Sequence, residues 1–172
     1  MQPVILVCGV SGSGKSWASR QMAGTFHYIP HDRCWVMPGK RGWDASQVWE
    51  AVSGDASRYE PGAESNHADV LIAATQIAEK PVLTECPHGE RLLRERLEQA
   101  GVKVIPVFVI EPPDLVARRY LQREGKSLPK NVWTRARTIV DRAREWNAFM
   151  GTSDEVLSHL KDRARAMGMQ VA

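Results

Sequence analysis

Val4-Ile5-Leu6-Val7-Cys8-Gly9-Val10-Ser11-Gly12-Ser13-Gly14-Lys15-Ser16 is the stretch on which the fold turns. Its first five residues are continuously apolar, the pattern of a strand covered on both faces, and hence of a parallel sheet with helices above and below. The next eight satisfy G-x-x-x-x-G-K-[ST]: glycines let successive backbone N–H groups turn inward around a phosphate, and the helix that follows adds the partial positive charge of its N-terminus. Strand, loop and helix in that order predict an α/β fold of the P-loop NTPase kind, a three-layer sandwich with a mostly parallel sheet of about five strands. Gly9, Ser11, Gly12, Ser13, Gly14, Lys15 and Ser16 become the candidate nucleotide-binding residues. Lys15 is placed to span the β- and γ-phosphates and Ser16 to put its hydroxyl on a metal, so ATP and Mg2+ are the implied ligands.

Outward from this loop, short β-branched runs alternate with helical patterns and no internal repeat appears. The pattern predicts a helix from Lys15 to about Ala23, a strand near Phe26 to Ile29, a helix over Ala63 to Glu79 ended by Pro81, and a strand at Val82 to Glu85. It continues with a helix from Gly89 stopped at Gly101, then a strand from Val102 to Ile110 in which Pro106 suggests an edge or an irregularity. Pro112-Pro113 opens a helix carrying Arg118, Arg119 and Arg123. A long helix is expected from Asn131 to Met150, with Trp133, Ala136, Ile139, Val140, Ala143, Trp146 and Met150 on one face, Arg135 and Arg142 on one side of that stripe and Arg137 and Arg144 on the other. A last helix over Asp154 to Ala166 leads to an expected short strand at Met169 to Ala172. Between the second strand and the next long helix lies a segment rich in Pro, Gly and Trp, with Asp44 placed to cap a short helix. That segment, about residues 30–64, reads as an acceptor-binding insertion, and about 123–131 as a short lid, within one domain over residues 1–172.

The 172 residues suit one such domain. Apolar residues at 43% and charged residues at 25% exclude a disordered or fibrous chain. Cys8, Cys34 and Cys86 lack both disulfide-framework and metal-ligand spacing. No apolar run approaches the ~20 residues of a membrane span, so a cytoplasmic chain with no membrane partner is expected, and nothing points to a protein partner. The net charge is only +3, yet from Arg118 to Arg144 nine cations face two acids, a bias that favours phosphate-bearing ligands.

Phosphoryl transfer to a hydroxyl needs charge neutralisation around the γ-phosphate and a carboxylate to receive the proton. Asp32, just past the carboxyl end of the second strand where open α/β sheets bind ligands, is the candidate general base. Glu85, at the end of the third strand, is the candidate carboxylate for a magnesium-bound water or for the acceptor. Arg119 and Arg123, four apart on one helix face before the Gly125-to-Pro129 loop, are candidate clamps for phosphate, with Arg118 as the alternative. Lys15 and Arg123 join Asp32 as the expected catalytic set.

Over residues 4 to 150 the chain resembles the kinase domain of bacteriophage polynucleotide kinases, in the adenylate-kinase-like branch of P-loop kinases. The matching features are the phosphate loop, Ser16-Trp17-Ala18-Ser19-Arg20, Ile29 to Asp32, the Arg119/Arg123 pair and the helix from Arg137 to Trp146. The resemblance implies that Asp32 is the base and that the arginine pair holds ATP phosphates. Two positions depart from the pattern: Trp35 stands where the family grips the acceptor's phosphate with arginine, and Glu85 replaces aspartate. Arg33 is the candidate replacement for the missing grip, with Trp35 and Glu85 beside it on the acceptor side. Gluconate kinases share the loop GVSGSGKS but also have an acidic segment after strand two, which is missing here. Trp35, Trp43, Trp49 and Tyr59 place stacking surfaces in the insertion, from which a hydroxyl carried by DNA is the expected acceptor, 5-hydroxymethyluracil above all, as in a related group of phage kinases. The alternatives are a 5′-hydroxyl polynucleotide, a nucleoside or small alcohol, or, in another class, a nucleic-acid-binding ATPase switch.

Overall fold

The structure is a computed structural model that describes residues 1–31 and 67–171. Asp32, Arg33, Trp35, the other aromatic residues of the insertion and the Asp44-capped helix lie outside the described residues.

Five parallel strands form one sheet in the order β2-β3-β1-β4-β5: β1 Val4–Cys8, β2 His27–Ile29, β3 Val82–Cys86, β4 Val104–Val109 and β5 Phe149–Gly151. All five residues of β1 are fully buried, which is what its unbroken apolar run requires of a central strand. Among the described residues the helices are α1 Lys15–Gln21, α2 His67–Ile77, α3 Glu90–Gln99, α4 Pro113–Glu124, α5 Lys130–Glu145 and α6 Ser153–Ala166. Alternate residues of β1 enter two cores. Ile5 and Val7 pack with Ala18 and Met22 of α1 and Val156, Leu160 and Ala164 of α6, while Val4, Leu6 and Cys8 pack with Leu71, Leu97, Val116, Ile139 and Ala143 from α2 to α5. Each large side chain buried this way contributes about 1.5–3 kcal/mol relative to exposure. None of these helices is long and apolar enough to cross a membrane.

Three expectations need correction. The helix predicted as far as Met150 ends at Glu145: Asn147 takes φ 46°, a left-handed turn that asparagine tolerates, and Ala148 N–H returns to Ala143 O at 2.9 Å. The chain thus re-enters the sheet, and β5 is Phe149–Gly151 rather than the tail, where Met169 and Val171 only pack against the α1/α6 core. Finally, Pro106 sits in an interior strand. Ile110 N–H donates to Gly151 O, so alternate N–H groups of β4 face β5, and the nitrogen of Pro106 points that way one residue before the β5 pairing begins at Val107↔Phe149.

Candidate active site

The loop after β1 is built by its glycines. Gly12 and Gly14 adopt φ of 86° and 90°, which side chains resist, and Ser13 N–H donates to Val10 O at 3.2 Å. A Cβ on Gly14 would come within 2.9 Å of Ser153 Cβ and 3.1 Å of Arg119 Nη1, so the start of α1 is pressed against the start of α6 and against α4. Lys15 folds back over the loop with Nζ donating to Val10 O at 3.4 Å. Ser16, the second residue of α1, is half-buried, and the hydroxyl of Ser13 is buried without a hydrogen-bond partner.

Two guanidinium groups from α4 reach this loop. Arg123 donates through Nη2 to Ser11 Oγ at 2.6 Å and Arg119 through Nη1 to Ser13 O at 3.4 Å, whereas Arg118 is exposed. The i, i+4 spacing on one helix face explains why the pair converges and its neighbour does not. Beside them a cleft of about 280 Å³ opens, lined by Gly14, Trp17, Arg119, Ser153 and Asp154. Lysine, two arginines and the start of α1 around a glycine-rich cradle fit a polyphosphate, and the Ser16 hydroxyl suits the magnesium such a ligand brings.

On the opposite side of β1, Glu85 is 4% exposed and both its oxygens are engaged: Oε1 accepts from Tyr28 OH at 2.6 Å and Oε2 from the His31 N–H at 3.1 Å. This carboxylate therefore pins the end of β2, one residue before Asp32. Burial, followed by the bonded carboxylate, pushes the Tyr28 hydroxyl well above its ordinary range, so it remains a donor. His31 lies edge-on to His67 and to His88, with ring centroids 5.1 and 6.0 Å away, and His67 Nε2 lies 3.1 Å from Thr84 Oγ1. Burial, then the nearby His31, lowers His67 to about 3. Among the described residues no group of three His, Cys, Asp or Glu is arranged to hold a metal ion.

Two acids escaped the sequence reading. Glu111, at the end of β4, accepts from the Ser153 N–H at 2.9 Å and from the Ser153 hydroxyl, and pairs with Arg119 at 3.3 Å. Its burial would raise its pKa, but the two Ser153 hydrogen bonds and then the Arg119 charge outweigh that and hold it below the usual carboxylate range. A lone acid between an apolar strand and Pro112-Pro113, at the ligand-binding edge of the sheet, was the available signal. Glu90, 2% exposed at the start of α3, is bound by Arg135 through both of its oxygens and approached by Arg142 at 3.9 Å, which turns two of the cations flanking the α5 stripe inward.

No protein-family model and no curated protein sequence matches the chain. Solved structures do. The tunicamycin resistance protein of Deinococcus radiodurans superposes with a TM-score of 0.59 at 17% identity, covering 100% of this chain and 99% of that one. A gluconokinase from Sinorhizobium meliloti gives 0.52 at 19% identity over 96% and 95%. A sugar kinase from Janibacter gives 0.55 at 16% over 94% of each. The chain thus has the α/β fold of P-loop kinases.

Proposed function

We propose that the protein is an ATP-dependent kinase that phosphorylates a hydroxyl group of a small molecule. The observation that carries this reading is the convergence of Lys15, Arg119 and Arg123 on one glycine-rich loop, a positive cradle matched to a triphosphate whose terminal group gathers charge during transfer. The nucleobase would occupy the cleft lined by Trp17, Arg119 and Asp154, and Ser16 would hold the Mg2+ that accompanies the nucleotide, which would neutralise charge on its phosphates. Asp32 follows His31, whose N–H Glu85 fixes at the carboxyl edge of the sheet. From there Asp32 takes the proton of the acceptor hydroxyl while the new O–P bond forms and the bond from the γ-phosphorus to ADP breaks.

A small acceptor is preferred to a nucleic acid for one reason. The gluconokinase and sugar kinase of like fold are named for small hydroxylated substrates.

The test is incubation with γ-labelled ATP and a panel of sugars and sugar acids, hydroxylated ring acids, nucleosides, 5′-hydroxyl DNA and hydroxymethyluracil DNA. Label on a small molecule is expected. Label confined to DNA would return the acceptor to nucleic acid, and label released only as free phosphate would make the protein an ATPase switch.

A further inference from the structure

Glu111 sits where a carboxylate is least expected, its side chain 4% exposed and bordering a loop that the proposed function assigns to anionic phosphates. Burying such a charge is unfavourable unless it is paired and hydrogen-bonded. A single oxygen, Oε1, meets three donors: the Ser153 N–H at 2.9 Å, the Ser153 hydroxyl and Arg119 Nη1 at 3.3 Å. The same Nη1 continues to Ser13 O at 3.4 Å. Ser153 in turn lies against Gly14, where no side chain fits. One carboxylate oxygen therefore ties together α4, the start of α6 and the junction of the phosphate loop with α1.

Two consequences follow from that placement. Arg119 is held beside the loop by one of its nitrogens alone, which leaves its remaining donors for a ligand and removes the need to order the side chain when the ligand binds. Meanwhile three N–H groups at the start of α6 already have acceptors. Ser153 N–H serves Glu111, and Thr152 and Glu155 form a capping box through Glu155 N–H to Thr152 Oγ1 at 3.4 Å and Thr152 N–H to Glu155 Oε2 at 2.7 Å. Those three groups are therefore not open to an anion.

The geometry points to Glu111 as a positioning residue for nucleotide binding: it presets Arg119 against the phosphate loop and occupies the Ser153 N–H at the start of α6. This rests on the kinase reading, in which nucleotide occupies the loop.

The experiment is calorimetric titration of the full chain with Mg2+ and a non-hydrolysable ATP analogue, which needs no knowledge of the acceptor, for wild type, Glu111→Gln, Glu111→Asp, Arg119→Ala and the Glu111→Gln/Arg119→Ala double variant. Glutamine keeps an oxygen for Ser153 but loses the charge that holds Arg119. Its affinity is expected to fall about tenfold, the scale of a charge-assisted contact, with a melting temperature close to wild type. Glu111→Asp should recover most of the loss, and in the Arg119→Ala background Glu111→Gln should add less than about twofold, since contacts acting through one residue are not additive. Wild-type affinity in Glu111→Gln, or an undiminished loss in the double variant, overturns the inference. If wild type binds no nucleotide, the kinase reading itself fails and takes the inference with it.

Discussion

The ammonium of Lys15 lies over the carbonyl of Val10 and supports no part of either core, so its removal separates chemistry from folding. Lys15→Ala should lower phosphoryl transfer by about 10²-fold or more, the usual effect of losing one preorganised donor at developing charge, with an unchanged melting temperature. Asp32→Asn is expected to abolish transfer while ATP affinity stays near wild type, because the proposed role of Asp32 is toward the acceptor and not the nucleotide; unchanged turnover would reject the assignment. Glu85 calls for a sharper comparison, as a magnesium role and an anchoring role make different predictions. With Tyr28 OH and the His31 N–H both bonded to it, Glu85→Ala removes the acceptor of two half-buried donors and should destabilise the protein by about 1–3 kcal/mol in denaturant unfolding. Glu85→Gln keeps an acceptor and should leave the Mg2+ concentration needed for half-maximal activity unmoved. A Mg2+ requirement that rises steeply without loss of stability would restore Glu85 to the metal.

Elements show how far local pattern carries a prediction. The buried run of β1, the glycine loop and the i, i+4 arginines are local signals, so the sheet centre, the cradle and the two side chains that reach it were legible. What was not legible depended on partners distant in sequence. The helical stripe of α5 runs on to Met150 in period, but a positive-φ turn at Asn147 stops it, and the packing of Trp146 on Phe108, 5.8 Å between rings, needs the sheet to exist first. Glu90 with Arg135 and Glu111 with Ser153 join residues 45 and 42 apart, which no periodicity shows. Among the histidines, His67 at the start of α2 carries a pH signature. Its folded pKa is about 3 against 6.5 for the free side chain, because burial and then His31 disfavour the charge. Between those values the unfolded chain binds a proton that the native one excludes, so stability is intact above 6.5 and is lost progressively as pH falls toward 3. Melting temperatures taken from pH 7 to 4 should fall, and His67→Gln should flatten that part of the decline. An identical decline in the variant would mean that other groups carry it.

At the scale of the molecule, the order β2-β3-β1-β4-β5 puts two kinds of element on either side of β1 at the carboxyl edge of the sheet. The β2/β3 side carries Glu85 and the histidines and leads into Asp32, while the β4/β5 side carries Glu111, Arg119, Arg123 and the start of α6. The phosphate loop lies between them, so under the proposed function donor and acceptor approach from opposite sides of one strand, at the topological switch of the open α/β sheet. This division predicts where each ligand is felt. Trp17 is 44% exposed on the nucleotide side and lines the 280 Å³ cleft with Arg119. A base seated there gains stacking that is about 1–3 kcal/mol stronger with an aromatic partner than with alanine, so Trp17→Ala should raise the dissociation constant for ATP by about tenfold while inorganic triphosphate binds as to wild type. Intrinsic fluorescence should change on adding ATP to wild type, and Trp17→Phe should lose that change even though the other tryptophans remain. Equal weakening of ATP and of inorganic triphosphate by Trp17→Ala would place Trp17 in the architecture of the loop rather than against a base, and the nucleotide would then have to lie along the other face of Arg119.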